Sequence, residues 1–257
     1  MKRVFFIHVP KCGGTSIAKA IQRAYFLSRI FHKRRGIQPI YGTISKELAK
    51  LFNEPIETYR VKLSAYALSI PYNVAVMGHV RFDKSLYDRF SSRWNYVTVL
   101  RDPVDRWYSE FYYIHKAKDS RDTYVPPPTM DYLNSPHAKF IATNYVRFFS
   151  SELHFHHFSM KNSSAINEID WSTPVNSSIE NLKGFTLIGF LDDLTTFKKA
   201  FKKIFGKNLK IGHHNKNLGY SNYQERVGKD IHNKVLELCA EDIKIYEWAK
   251  KNSNPTP

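Results

Sequence analysis

The sequence predicts a three-layer α/β fold, in which a central, mostly parallel sheet is flanked by helices, within a single domain spanning residues 1–257. Three observations predict it. Short apolar runs rich in β-formers recur along the chain. Each run gives way to a turn or cap signal and then to apolar residues at helical spacing. Neither an internal repeat nor a linker of domain-separating length breaks this alternation.

Val4-Phe5-Phe6-Ile7-His8-Val9 is a near-continuous apolar run, the pattern of a buried parallel strand. Pro10 ends it. Gly13-Gly14 forms a turn, and Thr15-Ser16 start a helix whose Ile17, Ala20, Ile21 and Ala24 recur at helical spacing and face the sheet. Residues 29–42 are basic and turn-rich and read as a mobile loop. Val74 to Met77 is a second apolar run, ending at Gly78-His79. Tyr96 to Leu100 is a third strand. It runs into Arg101-Asp102-Pro103, where Asp102 suits an N-cap and Pro103 the first helical position. Val104, Trp107, Tyr108, Phe111 and Tyr112 then form the apolar stripe of an amphipathic helix. Pro126-Pro127-Pro128 marks a rigid loop, and Phe140 to Phe149 reads as one helix. Phe185 to Phe190 is a further strand. Asp192-Asp193 start a helix with Leu194, Phe197, Phe201 and Ile204 inward. After a polar loop over 207–222, one long C-terminal helix carries Val227, Ile231, Val235 and Leu238.

With 42% hydrophobic and 15% aromatic residues, the chain can build a sizeable core, and global disorder is excluded. The net charge of +16, from 39 basic against 23 acidic residues, favours anionic partners: nucleic acid, a polyanionic sugar, an acidic membrane or a multiply phosphorylated cofactor. The two cysteines, Cys12 and Cys239, fit a reducing compartment. No stretch is long enough to span a bilayer, and the start lacks a signal-peptide pattern. The expectation is a cytoplasmic protein without stable membrane insertion.

Two constellations carry chemistry. In Pro10-Lys11-Cys12-Gly13-Gly14-Thr15-Ser16, glycines after a strand let backbone N–H groups approach an anion. The helix N-terminus adds partial positive charge, Thr15 and Ser16 add hydroxyl donors, and Lys11 adds a full charge. An ordinary βα turn is the bland reading; lysine, two glycines and two hydroxyls together favour phosphate. Lysine precedes the glycines here, unlike in a Walker A loop, which disfavours a nucleotide phosphotransferase without excluding it. The second constellation is Arg101-Asp102-Pro103-Val104-Asp105-Arg106-Trp107-Tyr108-Ser109. Arg101 ends a strand, where open α/β sheets place ligands, and Ser109 lies about two helical turns past the cap on nearly the same face. An anion there could meet both; a capped helix with Arg101 paired to Asp105 is the equal alternative.

These residues resemble those of the PAPS-dependent sulfotransferases (PAPS is 3′-phosphoadenosine-5′-phosphosulfate), a P-loop-like fold. Phe6 to Ser16 resembles their 5′-phosphosulfate loop, and Arg101-Asp102-Pro103 with Arg106 and Ser109 resembles their 3′-phosphate motif. Gly78-His79-Val80 is similar to the segment bearing the catalytic histidine of the uronyl 2-O-sulfotransferases. Asn144 to Phe149 and Ile188 to Leu194 resemble later blocks. The likeness runs over about residues 3–220 and is patchy between 25 and 70.

The resemblance implies a sulfotransferase that moves a sulfuryl group from PAPS to an acceptor hydroxyl on a carbohydrate, by in-line displacement, releasing PAP. Lys11 would contact the oxygen bridging phosphate and sulfate. Cys12, Gly13, Gly14, Thr15 and Ser16 would hold the 5′-phosphate, and Arg101 and Ser109 the 3′-phosphate. His79 would be the general base, with His8 as the rival. A closing basic loop would be His213-His214-Asn215-Lys216-Asn217, which makes Lys216 a cofactor residue. The chemistry is self-consistent without a metal: charge builds on the leaving oxygen, where a lysine stabilises it, and an imidazole suits removal of the hydroxyl proton.

The remaining signals have plain readings. His154, His156 and His157, with His213 and His214, match no standard zinc spacing. Lys198, Lys199, Lys202 and Lys203 form the outer face of an amphipathic helix, by default a solvated face, with polyanion contact as the minority reading. Arg29, His32, Lys33, Arg34 and Arg35 cluster in a loop that could guide an acidic acceptor. A basic nucleic-acid-binding protein is the alternative from another class, but no RRM, KH, zinc-finger or basic-zipper pattern supports it. The acceptor itself is not legible.

Overall fold

A computed structural model of the chain describes residues 1–31, 36–116, 125–151, 169–212 and 227–253, with backbone alone for 27–31. Among the described residues, five strands form one sheet in the order β2-β3-β1-β4-β5, and every pairing is parallel. The strands are β1 (Arg3–Ile7), β2 (Gly36–Ile40), β3 (Asn73–Gly78), β4 (Trp94–Leu100) and β5 (Leu187–Phe190). The three central strands are buried along almost their whole length, which explains why they read as continuous apolar runs rather than alternating ones.

The side-chain period of two divides β1 between two cores. Val4 and Phe6 face α1 (Gly14–Phe31), through Ile17, Ile21 and Tyr25, and the later helix Leu194–Phe205, through Phe197 and Phe201. Phe5 and Ile7 face the opposite layer. There lie α3 (Ile56–Ser69), which follows the short α2 (Gly42–Leu51), then α4 (Lys84–Phe90) and three elements from the second half of the chain: α8 (Asn144–Phe149), α9 (Ser172–Lys183) and the last helix, Ala240–Asn252. A third core gathers α5 (Pro103–His115), α6 (Met130–Leu133), α7 (Pro136–Ala142) and the helix Lys229–Leu238. We label Leu194–Phe205, Lys229–Leu238 and Ala240–Asn252 as α10, α11 and α12.

Four expectations are corrected. Residues 29–42 are not simply a loop: α1 runs to Phe31, and 36–40 form the edge strand β2. Gly36 and Pro39 read as strand breakers, yet among the described residues β2 pairs on one side alone, with β3, and an edge strand tolerates a proline that donates no hydrogen bond. Phe140 to Phe149 splits into α7 and α8 at Thr143, whose ψ of 38° leaves the helical region. The single C-terminal helix is likewise two, parted at Cys239. The strand Val4–Val9 is shorter than expected, ending at Ile7. The cap signals hold: Asp102 accepts hydrogen bonds from the Val104 and Asp105 N–H groups, and Asp193 accepts one from Thr196.

Chain order positions the site. The chain leaves β1 through α1 for the far edge, returns to β3 beside β1, then crosses to β4 on the other flank. The order therefore reverses at β1, and open α/β sheets bind ligands in the crevice outside the carboxyl ends at such a switch point.

Candidate active site

Ile7 pairs with Gly78 in β3 and Thr98 in β4, so the loops after β1, β3 and β4 emerge side by side at one edge. The His8 N–H extends the ladder by one bond, donating to the Gly78 carbonyl at 2.9 Å. Buried Thr98 ties the other flank, its hydroxyl donating to the Ile7 carbonyl at 2.9 Å. The segment 8–16, His79 and Arg101 thus share the carboxyl edge.

The loop after β1 is wound tightly. Lys11 and Gly13 both have positive φ, 65° and 70°. At Gly13 that conformation favours glycine; at Lys11 it is strained. Gly14 is required for a different reason: a Cβ there would lie 1.8 Å from Cδ2 of the His8 ring. α1 begins at this glycine, so its first N–H groups face the loop without intrahelical partners. Thr15 is exposed, while Ser16 and Cys12 are buried. The Cys12 thiol, raised to about 11 by burial, lies 3.5 Å from the Tyr145 hydroxyl.

Lys11 reaches toward α5, its Nζ 3.8 Å from the centre of the Tyr113 ring. Its pKa is lowered, mainly by burial; Glu110 opposes this, while Arg101 and Arg106 add to it. Residues of both sequence constellations therefore sit within electrostatic reach of one another. Arg101 is partly exposed, and its guanidinium lies 3.9 Å from Asp105, the pairing that the sequence left as an alternative. At that distance and exposure the pair is weak and leaves Arg101 able to meet an anion. Ser109 is 4% exposed. Arg106 is wholly buried: its guanidinium donates to the Ile141 carbonyl and lies 3.9 Å from Glu110. It builds the floor under the motif rather than presenting charge to a ligand.

On the other flank, the His8 and His79 rings stack at 3.9 Å. Nδ1 of His79 is 2.9 Å from the His8 carbonyl oxygen. A carbonyl can only accept, so Nδ1 carries the hydrogen and Nε2 is left with its lone pair. The pKa of His79 is lowered by burial first; the bond to His8 opposes this and Arg60 reinforces it. His8 is pushed down to about 3, by burial and then by His79. Both rings are neutral near pH 7, but His79 has the better-defined free nitrogen.

Arg60 belongs to a cluster that sequence reasoning missed. Glu57 lies 3.7 Å from Arg60 and 3.3 Å from Arg81, and Nε of Arg60 donates to the Ser45 hydroxyl at 3.4 Å. Tyr145 and Asp242 were missed as well. The Asp242 carboxylate accepts hydrogen bonds from the Tyr145 and Val146 N–H groups at 2.8 and 3.1 Å, capping α8 from α12. The resemblance of 144–149 to a family block was the one signal for Tyr145, and Asp242 had none.

Lys216, His213, His214, His154, His156, His157 and the cluster at 32–35 lie outside the described residues. Among the described residues, no group of three or more His, Cys, Asp or Glu could hold a metal ion, and no helix is long and apolar enough to cross a membrane.

No protein-family model and no curated protein matches the chain. Among solved structures it is similar to mouse sulfotransferase SULT7A1 complexed with PAP, with 16% identity and a TM-score of 0.39. The alignment covers 92% of this chain and 63% of that one, so the chain spans under two thirds of that structure's length.

Proposed function

We propose that this chain is a single-domain, PAPS-dependent sulfotransferase that transfers a sulfuryl group to an acceptor hydroxyl, with carbohydrate as the acceptor class. The observation that carries this reading is the shared edge: three adjacent parallel strands, β3, β1 and β4, end in His79, in the glycine loop and in Arg101. Two anion-binding elements beside a neutral imidazole suit the transfer of an anionic group to a hydroxyl.

The residues fit a nucleotide with phosphates at both ends of its ribose. Gly13, at positive φ, and Gly14, packed on the His8 ring, let the loop wind tightly into the start of α1, whose free N–H groups and dipole would meet a 5′-phosphate. Thr15 and Ser16 supply hydroxyls. Arg101, just past β4, and Ser109, on α5, would hold the 3′-phosphate, which separates PAPS from nucleotides lacking it. When bound, PAPS supplies the sulfuryl group and departs as PAP. Lys11, already within electrostatic reach of Arg101, would neutralise charge on the leaving oxygen. Nε2 of His79 would take the acceptor proton, its hydrogen-bonded Nδ1 holding the tautomer. The two free, buried cysteines suit a reducing compartment.

Calorimetry with PAP and with ATP tests the cofactor, and radiolabelled PAPS with a panel of sugars tests the acceptor. Binding of PAP without ATP, and label transferred to a sugar, are expected. Salt-sensitive oligonucleotide binding that PAP cannot displace would overturn the reading in favour of a nucleic-acid partner.

A further inference from the structure

We propose that Tyr145 is a positioning residue whose hydroxyl sets the backbone at Arg101 for ligand binding and joins the loops after β1 and β4. This inference rests on the function proposed above.

Arg101 stands one residue beyond the sheet. The last pairing of β4 with β5 is Leu100 with Phe190, so among the described residues no strand lies opposite the N–H and C=O of Arg101. The Tyr145 hydroxyl fills that place. It accepts from the Arg101 N–H at 2.8 Å and donates to the Arg101 carbonyl. In an extended strand these two groups of one residue point the same way, so a single hydroxyl can serve both. The same oxygen is 3.5 Å from Sγ of Cys12, in the middle of the glycine loop. One buried side chain therefore touches both segments assigned to phosphate.

Tyr145 is itself held from a distance. It is fully buried at the first turn of α8, where Asp242 accepts its N–H. Asp242 is also fully buried and comes from α12, almost one hundred residues later in the chain. The hydroxyl is thus fixed in direction before any ligand arrives. Preorganisation of this kind raises affinity because binding then orders little. Removing the hydroxyl leaves the ring packing in place but frees the Arg101 backbone.

The experiment is a double-mutant cycle on PAP affinity, with Tyr145→Phe, Arg101→Ala and both together. Tyr145→Phe is expected to weaken PAP about tenfold, the scale of one to two lost hydrogen bonds. In the Arg101→Ala background it should add less than about twofold, because the side chain being positioned is gone. Amide hydrogen exchange supplies a readout independent of PAP: the Arg101 N–H should lose protection in Tyr145→Phe while the rest of β4 keeps it. Wild-type PAP affinity in folded Tyr145→Phe, or two effects that simply add, would overturn the proposal. If Tyr145→Phe does not fold, Asp242→Asn replaces it; the amide can accept one of the two cap bonds, and unchanged PAP affinity there counts against the proposal as well. Wild-type protein that binds no PAP overturns the proposed function first, and this inference with it.

Discussion

The two flanks of β1 present their functional groups by different means. On the β4 side, Arg101 lies just before, and Ser109 within, a helix with a conventional start: an Asp102 cap, Pro103 at the first turn, and a stripe of Val104, Trp107, Tyr108, Phe111 and Tyr112 buried in an apolar core. On the β3 side, His79 is held by the carbonyl and ring of His8, and beside it lie Arg60, Glu57, Arg81 and Ser45, drawn from α2, α3 and the loop after β3. The first flank relies on short-range caps and apolar burial, over the wholly buried Arg106 and beside the Tyr145 hydroxyl. The second relies on partly buried charge, with Glu57 placed between two arginines. On the function proposed above, the nucleotide would meet the capped helix and the proton a histidine whose pKa is shifted by burial and by Arg60.

The sharpest way to break that comparison is to remove the base. His79→Ala is expected to lose turnover by about 10²–10⁴-fold while PAP affinity stays near wild type. His8→Ala, measured alongside, decides between the two histidines. Retained turnover in His79→Ala, with turnover abolished and PAP still bound in His8→Ala, would reverse the assignment. Loss in neither would point to an acidic base.

Lys11→Ala bridges the flanks and should therefore damage both properties. Turnover is expected to fall by about 10²–10³-fold through lost stabilisation of the leaving oxygen, and PAP affinity should fall as well. Normal PAP affinity would confine the lysine to the chemical step.

Arg101→Ala tests the nucleotide flank alone. A charge-assisted hydrogen bond is worth about 1.5–3 kcal/mol, so PAP should weaken by at least about tenfold while AMP, lacking the 3′-phosphate, changes little. An equal loss for both nucleotides would remove Arg101 from 3′-phosphate recognition.

The smallest effects are in pH. Because the pKa of His79 lies below the ordinary histidine value, turnover should rise with pH through a limb below 6.5 and level off above it. Arg60→Gln removes a charge that lowers this pKa, so the limb should move to higher pH. An unmoved limb would separate Arg60 from the base. His8 offers a stability counterpart. Its folded pKa of about 3 is depressed from 6.5, so its neutral form stabilises the fold above pH 6.5, and that contribution drains away as pH falls toward 3. His8→Phe should flatten urea midpoints across that window.

Strands β1, β3 and β4, the glycine turn and the Asp102 cap were legible because each depends on residues adjacent in the chain. Apolar runs, φ-permissive glycines and capping side chains act within a few positions. β2 was not, since Gly36 and Pro39 carry the signature of a loop, and what makes them a strand is the exposed edge of β3. Thr143 and Cys239 break helices whose apolar spacing continues across them, so periodicity alone joined what packing separates.

The candidate site divides along the same line. By itself the sequence named the candidate phosphate-binding residues and the strand ends that carry them, because loop chemistry and helix dipoles are local properties. Tertiary structure decided the rest. The parallel order β3-β1-β4 brought His79, Lys11 and Arg101 to one edge. The His8 carbonyl chose the tautomer of His79. The Tyr145 hydroxyl, set by Asp242, took the position of a missing strand beside Arg101. Hydrogen bonds and desolvation depend on distances through space, and residues far apart in the chain acquire those distances only when the sheet closes around them.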